Sequence, residues 1–260
     1  MRHYNGEMLR LLALLLLVAP VAPAQTPPSE QRVLFVGNSL TYSNDLPALV
    51  AALARAKGLR VSCASVAFAN YSLEDHWQRG DAVREIRKGG WSLVVLQQGP
   101  SAAPESQVLL REYVKRFDKE IRAAGARTSL YMIWPSRTRP QDFDGVIRSY
   151  TAAAKDVNAL LFPAGDGWRA VWAKDASLEL YSPDGLHPSR LGTYVAALVI
   201  VKTAFGISPQ GLPAPSIEAP TAKIVQDAVA GIGRGPEPPA HGRMRDSHAR
   251  RQSADVSCRL

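Results

Sequence analysis

Short apolar runs alternate with longer segments in which apolar residues recur at helical spacing along most of the chain. Five of these runs have the length and the apolar, often β-branched content of strands, and they cover residues 33–36, 60–67, 91–96, 128–134 and 159–162. The segments with helical spacing cover residues 46–57, 81–88, 104–124, 143–158, 165–174, 190–205 and 217–232. Strands that alternate with helices in this way predict a three-layer α/β/α domain with a parallel sheet of about five strands.

The two ends of the chain differ from this repeating body. Residues 1–24 carry positive charge and an apolar stretch at residues 11–18, a pattern typical of a secretory signal peptide and too short for a comfortable membrane span. We expect export to the periplasm or beyond, with no stable membrane span after cleavage; an uncleaved N-terminal anchor is the alternative. Residues 25–31 read as a linker and residues 32–232 as the domain. Residues 233–260 are rich in Gly, Pro, Arg and Ser and read as a disordered tail.

The composition narrows the classes of function. Hydrophobic residues make up 46% of the chain and charged residues 21%, which is ordinary for a protein with a globular core. The net charge of +8 is not gathered into a Lys/Arg run interleaved with aromatics, so we do not expect a nucleic-acid partner. Cys63 and Cys258 are too few for a disulfide framework. The sequence has no HExxH motif and no clustered Cys and His ligands, so we expect neither a metal nor another cofactor.

The first candidate for chemistry is Ser39, which follows the first predicted strand by way of Gly37. A glycine allows the sharp turn that a side chain would obstruct. Active sites of parallel α/β sheets collect at the carboxyl edge of the strands, and a serine on such a turn is a nucleophile if a base reaches it. The alternative is a polar loop that caps the following helix.

A second candidate lies near the other end of the domain. Asp184 and His187 are three residues apart in a turn held by Pro183, Gly185 and Pro188. A carboxylate at this spacing can reach Nδ1 of the histidine, which fixes the tautomer and leaves Nε2 to take a proton from a hydroxyl. The alternative is a surface turn in which the two residues are incidental.

Taken together, Gly37-Asn38-Ser39-Leu40 and Asp184-Gly185-Leu186-His187 resemble the early and late motif blocks of the SGNH, or GDSL-like, hydrolase superfamily. The resemblance covers about residues 32–205. It implies a flavodoxin-like three-layer fold and a serine hydrolase mechanism. In that mechanism Ser39 is the nucleophile, His187 is the base and Asp184 orients the base.

Two further blocks of the superfamily supply donors to the oxyanion, and both diverge in this chain. The second block usually has a glycine where this sequence reads Ala69-Asn70-Tyr71-Ser72. Asn70 tolerates a left-handed backbone and could give its N–H, with or without its side-chain amide. The third block usually contains Gly-x-Asn-Asp, and this sequence has Gln97 and Gln98 there instead. Glutamine carries the same amide donor on a longer arm, so either could complete the oxyanion hole beside the N–H of the nucleophile.

Strand alternation does not decide between the two glutamines, and we slightly favour Gln97 as the donor. The alternative is that both are polar residues at a strand end. His76, on a predicted helical stretch after the second block, is expected to line a pocket or to pack rather than to take part in catalysis.

These expectations combine into an exported serine esterase that acts on a small-molecule or carbohydrate ester, such as a short acyl ester or a carbohydrate-linked acetyl ester. Two other functions stay open. One is a catalytically weak or inactive glycan-binding module, which the divergent second and third blocks favour. The other is an acyltransferase that uses the same three residues.

Overall fold

The computed structural model of the protein describes residues 30–233. The predicted signal peptide, most of the predicted linker and nearly all of the predicted tail lie outside the described residues. Five strands form one sheet: β1 Gln31–Gly37, β2 Val61–Ala67, β3 Leu93–Leu96, β4 Arg127–Met132 and β5 Leu160–Pro163. The strands are all parallel, in the order β2-β1-β3-β4-β5. The prediction of a parallel sheet of about five strands is confirmed.

Helices cover both faces of this sheet. They are α1 Ser39–Tyr42, α2 Leu46–Arg55, α3 Leu73–Arg79, α4 Asp81–Arg87, α5 Pro104–Ala123, α6 Phe143–Asp156, α7 Ala164–Lys174, α8 Arg190–Phe205 and α9 Ala219–Gly231. Within residues 30–233, none of the helices has both the length and the apolar character needed to cross a membrane.

The side chains of each strand point alternately to the two faces of the sheet, and helices packed on both faces give three layers. In β1, Val33 and Phe35 pack into one apolar core with α2, α7, α8 and α9. Leu34 and Val36 pack into the other core with α3, α4, α5 and α6. Side chains of successive strand residues point to opposite faces, so a strand that is apolar throughout is buried on both sides. The predicted three-layer α/β/α architecture is confirmed.

The strand order places a switch point at the carboxyl ends of β1 and β3. The chain leaves β1 towards α2 on one face and leaves β3 towards α5 on the other. The two following loops therefore diverge, and a crevice opens between them at the position where α/β proteins bind ligands. The strand order alone thus determines where the crevice lies.

Two stacked tryptophans support the segment on the far side of this crevice. Trp134 and Trp168 are fully buried, and their ring centroids are 3.5 Å apart. The indole N–H of Trp134 donates to the carbonyl of Leu186 at 3.1 Å. The indole N–H of Trp168 donates to the carbonyl of Gly192, also at 3.1 Å. The turn at residues 182–188 is therefore hydrogen-bonded to the core rather than held by its own residues alone.

Candidate active site

Ser39 lies at the N-terminus of α1, immediately after β1. The sequence predicted a loop here, but the chain turns directly into a four-residue helix. Asn38 starts that helix as its N-cap, because its side-chain oxygen accepts the backbone N–H of Leu40 at 3.1 Å. The first N–H groups of a helix have no partner within it. Among the described residues, the N–H of Ser39 has no hydrogen-bond acceptor.

The structure brings the three predicted triad residues into one hydrogen-bonded line. Ser39 Oγ lies 2.8 Å from His187 Nε2, although the two residues are 148 positions apart in the chain. His187 Nδ1 lies 2.5 Å from Asp184 Oδ2. A carboxylate on Nδ1 keeps the proton there and leaves the Nε2 lone pair facing the serine hydroxyl. This arrangement can take a proton from Ser39 as its oxygen attacks.

Asp184 is held by the backbone of its own turn as well as by the histidine. Its Oδ1 accepts the N–H groups of Leu186 and His187, each at 2.9 Å. Those backbone bonds, led by the one from Leu186, and the bond to the imidazole lower the pKa of Asp184 to about 2. Asp184 is therefore an ionised acceptor throughout the pH range in which the protein would work.

Asn44 connects the segment after Ser39 with the segment after His187, and no feature of the sequence singles it out. Its side-chain amide donates to the carbonyl of Pro188 at 3.0 Å and to the hydroxyl of Thr193 at 2.9 Å. Asn44 and the next residue, Asp45, both have positive φ, of 51° and 53°. The segment after α1 is thus bonded to the segment after the histidine. A polar residue between two helices does not reveal a partner about 150 residues away.

Asn70 has the backbone conformation that the sequence predicted. Its φ is +63°, in the left-handed region that favours glycine and asparagine. It lines the same cleft as Ser39. Among the described residues, its N–H meets no hydrogen-bond acceptor. The carbonyl of the next residue, Tyr71, accepts a hydrogen bond from the side-chain amide of Asn38 at 3.0 Å, which connects this loop to the turn that carries Ser39.

The structure contradicts the assignment of Gln97 as an oxyanion donor. Its side chain is buried and is not part of the cleft wall. The amide nitrogen donates to Asn38 Oδ1 at 3.1 Å and to the carbonyl of Gln98 at 2.7 Å. Both of its N–H groups are thus committed to the protein interior, and none is left for a substrate.

Gln98 is the glutamine that reaches the cleft, but its amide is also bonded to the protein. Its oxygen accepts the N–H of Leu73 at 3.2 Å, and its nitrogen donates to the hydroxyl of Ser101 at 2.8 Å. A contact of 3.5 Å to the carbonyl of Ser106 accounts for the second N–H. Gln98 therefore connects the second and third blocks, and as placed it offers no free donor.

The cleft between these blocks has a volume of about 530 Å³. Serine and amide side chains contribute much of its wall, together with Leu40, Leu109 and Leu186. Arg139 and Asp142 also line it and pair with each other, with Nε and Oδ2 2.8 Å apart. The cleft is thus a groove of mixed character, in which hydroxyl, amide and charged groups interrupt a largely apolar surface, and its size suits a small molecule.

His76 is buried behind the turn at residues 37–41 and does not line the cleft. It is therefore a packing residue, one of the two roles expected for it. Its Nε2 is 2.7 Å from the carbonyl of Gly37, so Nε2 carries the proton. Among the described residues, Nδ1 has no hydrogen-bond partner. Burial, the largest influence, lowers the pKa of His76 below its ordinary 6.5, although the Gly37 carbonyl and the Asp75 carboxylate act in the opposite direction.

We expect His76 to make the protein acid-sensitive. The unfolded chain takes up a proton at His76 near pH 6.5, and the folded chain does so only at a lower pH. Between the two values the unfolded chain holds more protons, so the free energy of unfolding falls as the pH falls. His76→Gln keeps an N–H donor for Gly37 but does not titrate. Urea unfolding at pH 5 and pH 7.5 should show a smaller pH-dependent loss of stability in this variant; an equal loss would contradict the assignment.

No protein-family model and no curated protein matches the chain. Solved structures match it over most of its length. A proposed SGNH hydrolase from Slackia heliotrinireducens is 28% identical, with a TM-score of 0.59, and the match covers 68% of this chain and 100% of that one. A DUF4886 family protein from Bacteroides uniformis is 17% identical, with a TM-score of 0.69 over 78% of this chain and 94% of that one. A variant of the acetyl xylan esterase from Geobacillus stearothermophilus is 15% identical, with a TM-score of 0.55 over 67% of this chain and 94% of that one.

The second and third of these likenesses concern the fold alone, and the first adds a higher sequence identity. They agree with a three-layer fold built on the five-stranded parallel sheet. The resemblance drawn from residues 37–40 and 184–187 is therefore confirmed. In its fold and in these two motif blocks the chain is similar to the SGNH, or GDSL-like, hydrolase superfamily.

Proposed function

We propose that the protein is a serine esterase that hydrolyses a carboxylic ester through Ser39, His187 and Asp184. One observation carries the proposal above all others. The serine oxygen is 2.8 Å from His187 Nε2, and the other nitrogen of that ring is 2.5 Å from the Asp184 carboxylate. A nucleophile, a base within reach of it and a group that orients the base are the parts that covalent acyl transfer requires.

The reaction follows from these contacts in two halves. Ser39 Oγ forms a bond to the ester carbonyl carbon, its proton passes to His187 Nε2, and the carbonyl π electrons move onto the oxygen. When this oxyanion collapses, the bond to the alkoxy group breaks and His187 returns the proton to the leaving alcohol. Water then attacks the acyl-enzyme in the same way and releases the acid. Asp184 stays ionised and stabilises the imidazolium formed in each half.

The oxyanion is held by the backbone N–H groups of Ser39 and Asn70. Both residues line the cleft, and neither N–H has a protein acceptor among the described residues. Donors that are already in place and unpaired act on the charge that develops in the transition state, and each is worth about 2.7–4 kcal/mol of barrier. In this proposal the glutamines after β3 do not replace the usual asparagine donor.

Two variants test whether Asn70 works through its backbone. Asn70→Gly keeps the N–H and adopts φ +63° without strain, so we expect kcat to stay within about threefold of wild type. Asn70→Ala keeps the N–H but makes the left-handed backbone costly by about 1–2 kcal/mol, so we expect a loss of about tenfold. Steady-state kinetics of both variants decide the point. A loss in the Gly variant as large as that in the Ala variant would contradict the backbone role and favour the side-chain amide, which both variants lack.

We propose a short acyl ester as the substrate, with a carbohydrate-linked acetyl ester as the leading candidate. The hydroxyl and amide groups along the cleft can bond to an alcohol with several hydroxyl groups, the apolar part of its wall can contact a short acyl chain, and one solved structure with the same fold is a variant of an acetyl xylan esterase. The predicted signal peptide, residues 1–24, would place the protein in the periplasm or outside the cell, where such esters occur on polymers. No nucleic-acid partner and no cofactor are part of this proposal.

Hydrolysis of p-nitrophenyl acetate, butyrate and octanoate by residues 25–260 tests the proposed function. We expect turnover that declines with chain length, and an acetylated oligosaccharide should be a better substrate than p-nitrophenyl acetate. Rates no higher than those of heat-denatured protein on all of these substrates would contradict the esterase and favour a glycan-binding module. Adding a sugar alcohol to the assay distinguishes an acyltransferase from a hydrolase, because transfer yields a new ester and hydrolysis yields free acid.

A further inference from the structure

Gln97 lies in the interior beside the turn at residues 37–41, called the nucleophile turn below. Both the oxygen and the nitrogen of its side-chain amide form hydrogen bonds to this turn. Its oxygen accepts the backbone N–H of Asn38 at 2.9 Å and the hydroxyl of Thr41 at 2.7 Å. Its nitrogen returns a bond to the side-chain oxygen of Asn38 at 3.1 Å. The side chain is only 1% exposed, so no water competes for these bonds. One buried amide thus holds the first and last parts of the turn.

Gly37 shows how tightly this amide fits against the end of β1. A Cβ atom built on Gly37 would lie 2.4 Å from Gln97 Oε1 and 2.3 Å from Thr41 Oγ1. Real side chains do not approach so closely. The glycine before the nucleophile is therefore required by the glutamine and threonine that pack over it, as well as by the turn.

Asn38 connects Gln97 to both proposed oxyanion donors through its own hydrogen bonds. Its side-chain oxygen caps α1, from whose N-terminus the N–H of the nucleophile projects. Its side-chain nitrogen donates to the carbonyl of Tyr71, the residue that follows the second donor. Because Gln97 fixes Asn38 through its backbone N–H and its side-chain oxygen, a shift of Gln97 would move both donors together. An amide is needed, since a carboxylate at position 97 would turn an oxygen towards the oxygens of Asn38 and Gln98.

We propose that Gln97 is a positioning residue: through Asn38 it sets the geometry of the Ser39 and Asn70 N–H groups without touching the substrate. The inference rests on the proposed esterase function. It assigns to Gln97 a role different from that of the asparagine donor that the superfamily usually has after the third strand. It also explains a buried amide that would otherwise have no connection with the reaction.

A pair of Thr41 variants tests this role without removing the glutamine. Thr41→Val deletes the hydroxyl that holds Gln97 Oε1 at nearly constant shape, and Thr41→Ser restores it. We expect kcat to fall about tenfold in the Val variant, the factor that one buried hydrogen bond can supply, with KM within twofold of wild type. The inhibition constant of phenylboronic acid, which forms a tetrahedral adduct with the serine, should rise by the same factor as kcat falls. Thr41→Ser should restore both values.

Gln97→Met is the stronger test, and we expect a fall in kcat of about 100-fold with KM little changed. If that variant does not fold, the Thr41 pair decides. A lower melting temperature in Thr41→Val with unchanged kcat and unchanged inhibition by phenylboronic acid would overturn the positioning role, because it would show a structural role only.

Failure of the proposed function would give a different result. A wild-type protein with no turnover and no affinity for phenylboronic acid overturns the esterase itself. The ¹H–¹⁵N signal of the Ser39 amide then decides whether Gln97 holds the turn. It should shift in Thr41→Val and return in Thr41→Ser, and a signal unchanged in all three proteins overturns the inference.

Discussion

Replacing Ser39 by alanine is expected to lower ester turnover by about 10⁶-fold, the scale on which a serine nucleophile contributes in an assembled triad. The substitution removes the oxygen that lies 2.8 Å from His187 Nε2 and leaves the rest of the cleft in place. KM should change little, because Ser39 contributes its bond-forming oxygen in the transition state rather than to substrate binding. Any residual rate would come from the oxyanion donors and from substrate binding.

Ser43→Ala is the matched control for this experiment. Ser43 follows α1 only four residues after the candidate nucleophile, and its hydroxyl makes no hydrogen bond to any residue that the structure describes. Its replacement should leave kcat and KM unchanged. Equal activity of Ser39→Ala and Ser43→Ala would contradict the nucleophile assignment, provided that both variants melt near the wild-type temperature.

Replacing Asp184 by asparagine is expected to lower kcat by about 10⁴-fold while preserving the turn. The asparagine oxygen can still accept the backbone N–H groups of Leu186 and His187, as Asp184 Oδ1 does at 2.9 Å. Its nitrogen then replaces Oδ2 beside His187 Nδ1 and donates a hydrogen bond to it. That bond forces the imidazole proton onto Nε2, which can no longer take a proton from the serine. The loss should therefore appear in kcat, with a similar circular dichroism spectrum.

Asp175→Asn provides the control for the loss of a carboxylate in a turn. Asp175 accepts the backbone N–H of Ser177 at 2.9 Å and its hydroxyl at 2.6 Å, in a turn that does not line the cleft. Its replacement should leave kcat unchanged. A drop of less than tenfold in Asp184→Asn would contradict the proposed tautomer control and would reduce Asp184 to a residue that shapes the turn.

The fold and the three candidate residues of the proposed triad could be predicted because their signals are local. An apolar strand that ends in a glycine, and a carboxylate three residues before a histidine, can each be recognised within a few positions of sequence. The parallel sheet then brings distant parts of the chain together, because the segments that follow its strands all lie at one edge. Ser39 follows β1 directly, and Trp134, which follows β4, bonds to the carbonyl of Leu186 and so holds His187 at the same edge, 148 residues from Ser39.

The proposed oxyanion donors could be predicted only in part. The positive φ of Asn70 follows from the residue type and its place in the turn. The choice between Gln97 and Gln98 depends on Asn38 and Thr41, which lie 56 to 59 residues earlier in the chain. Their hydrogen bonds to Gln97 form only in the folded protein. Adjacent residues at a strand end differ by which side they face, and packing decides which side is interior. The hydrogen bonds of Asn44 could not be predicted either, because their partners, Pro188 and Thr193, lie 144 and 149 residues later in the chain.

The role of Ser39 is tested most directly by labelling residues 25–260 with a fluorophosphonate, followed by peptide mass spectrometry. We expect one adduct, on the peptide that contains Ser39, formed as the serine oxygen bonds to phosphorus and fluoride leaves. Labelling should be absent in Ser39→Ala, slowed in Asp184→Asn and unchanged in Ser43→Ala. A folded wild-type protein that takes up no label, or that carries the label on another residue, would contradict the central claim that Ser39 is an activated nucleophile.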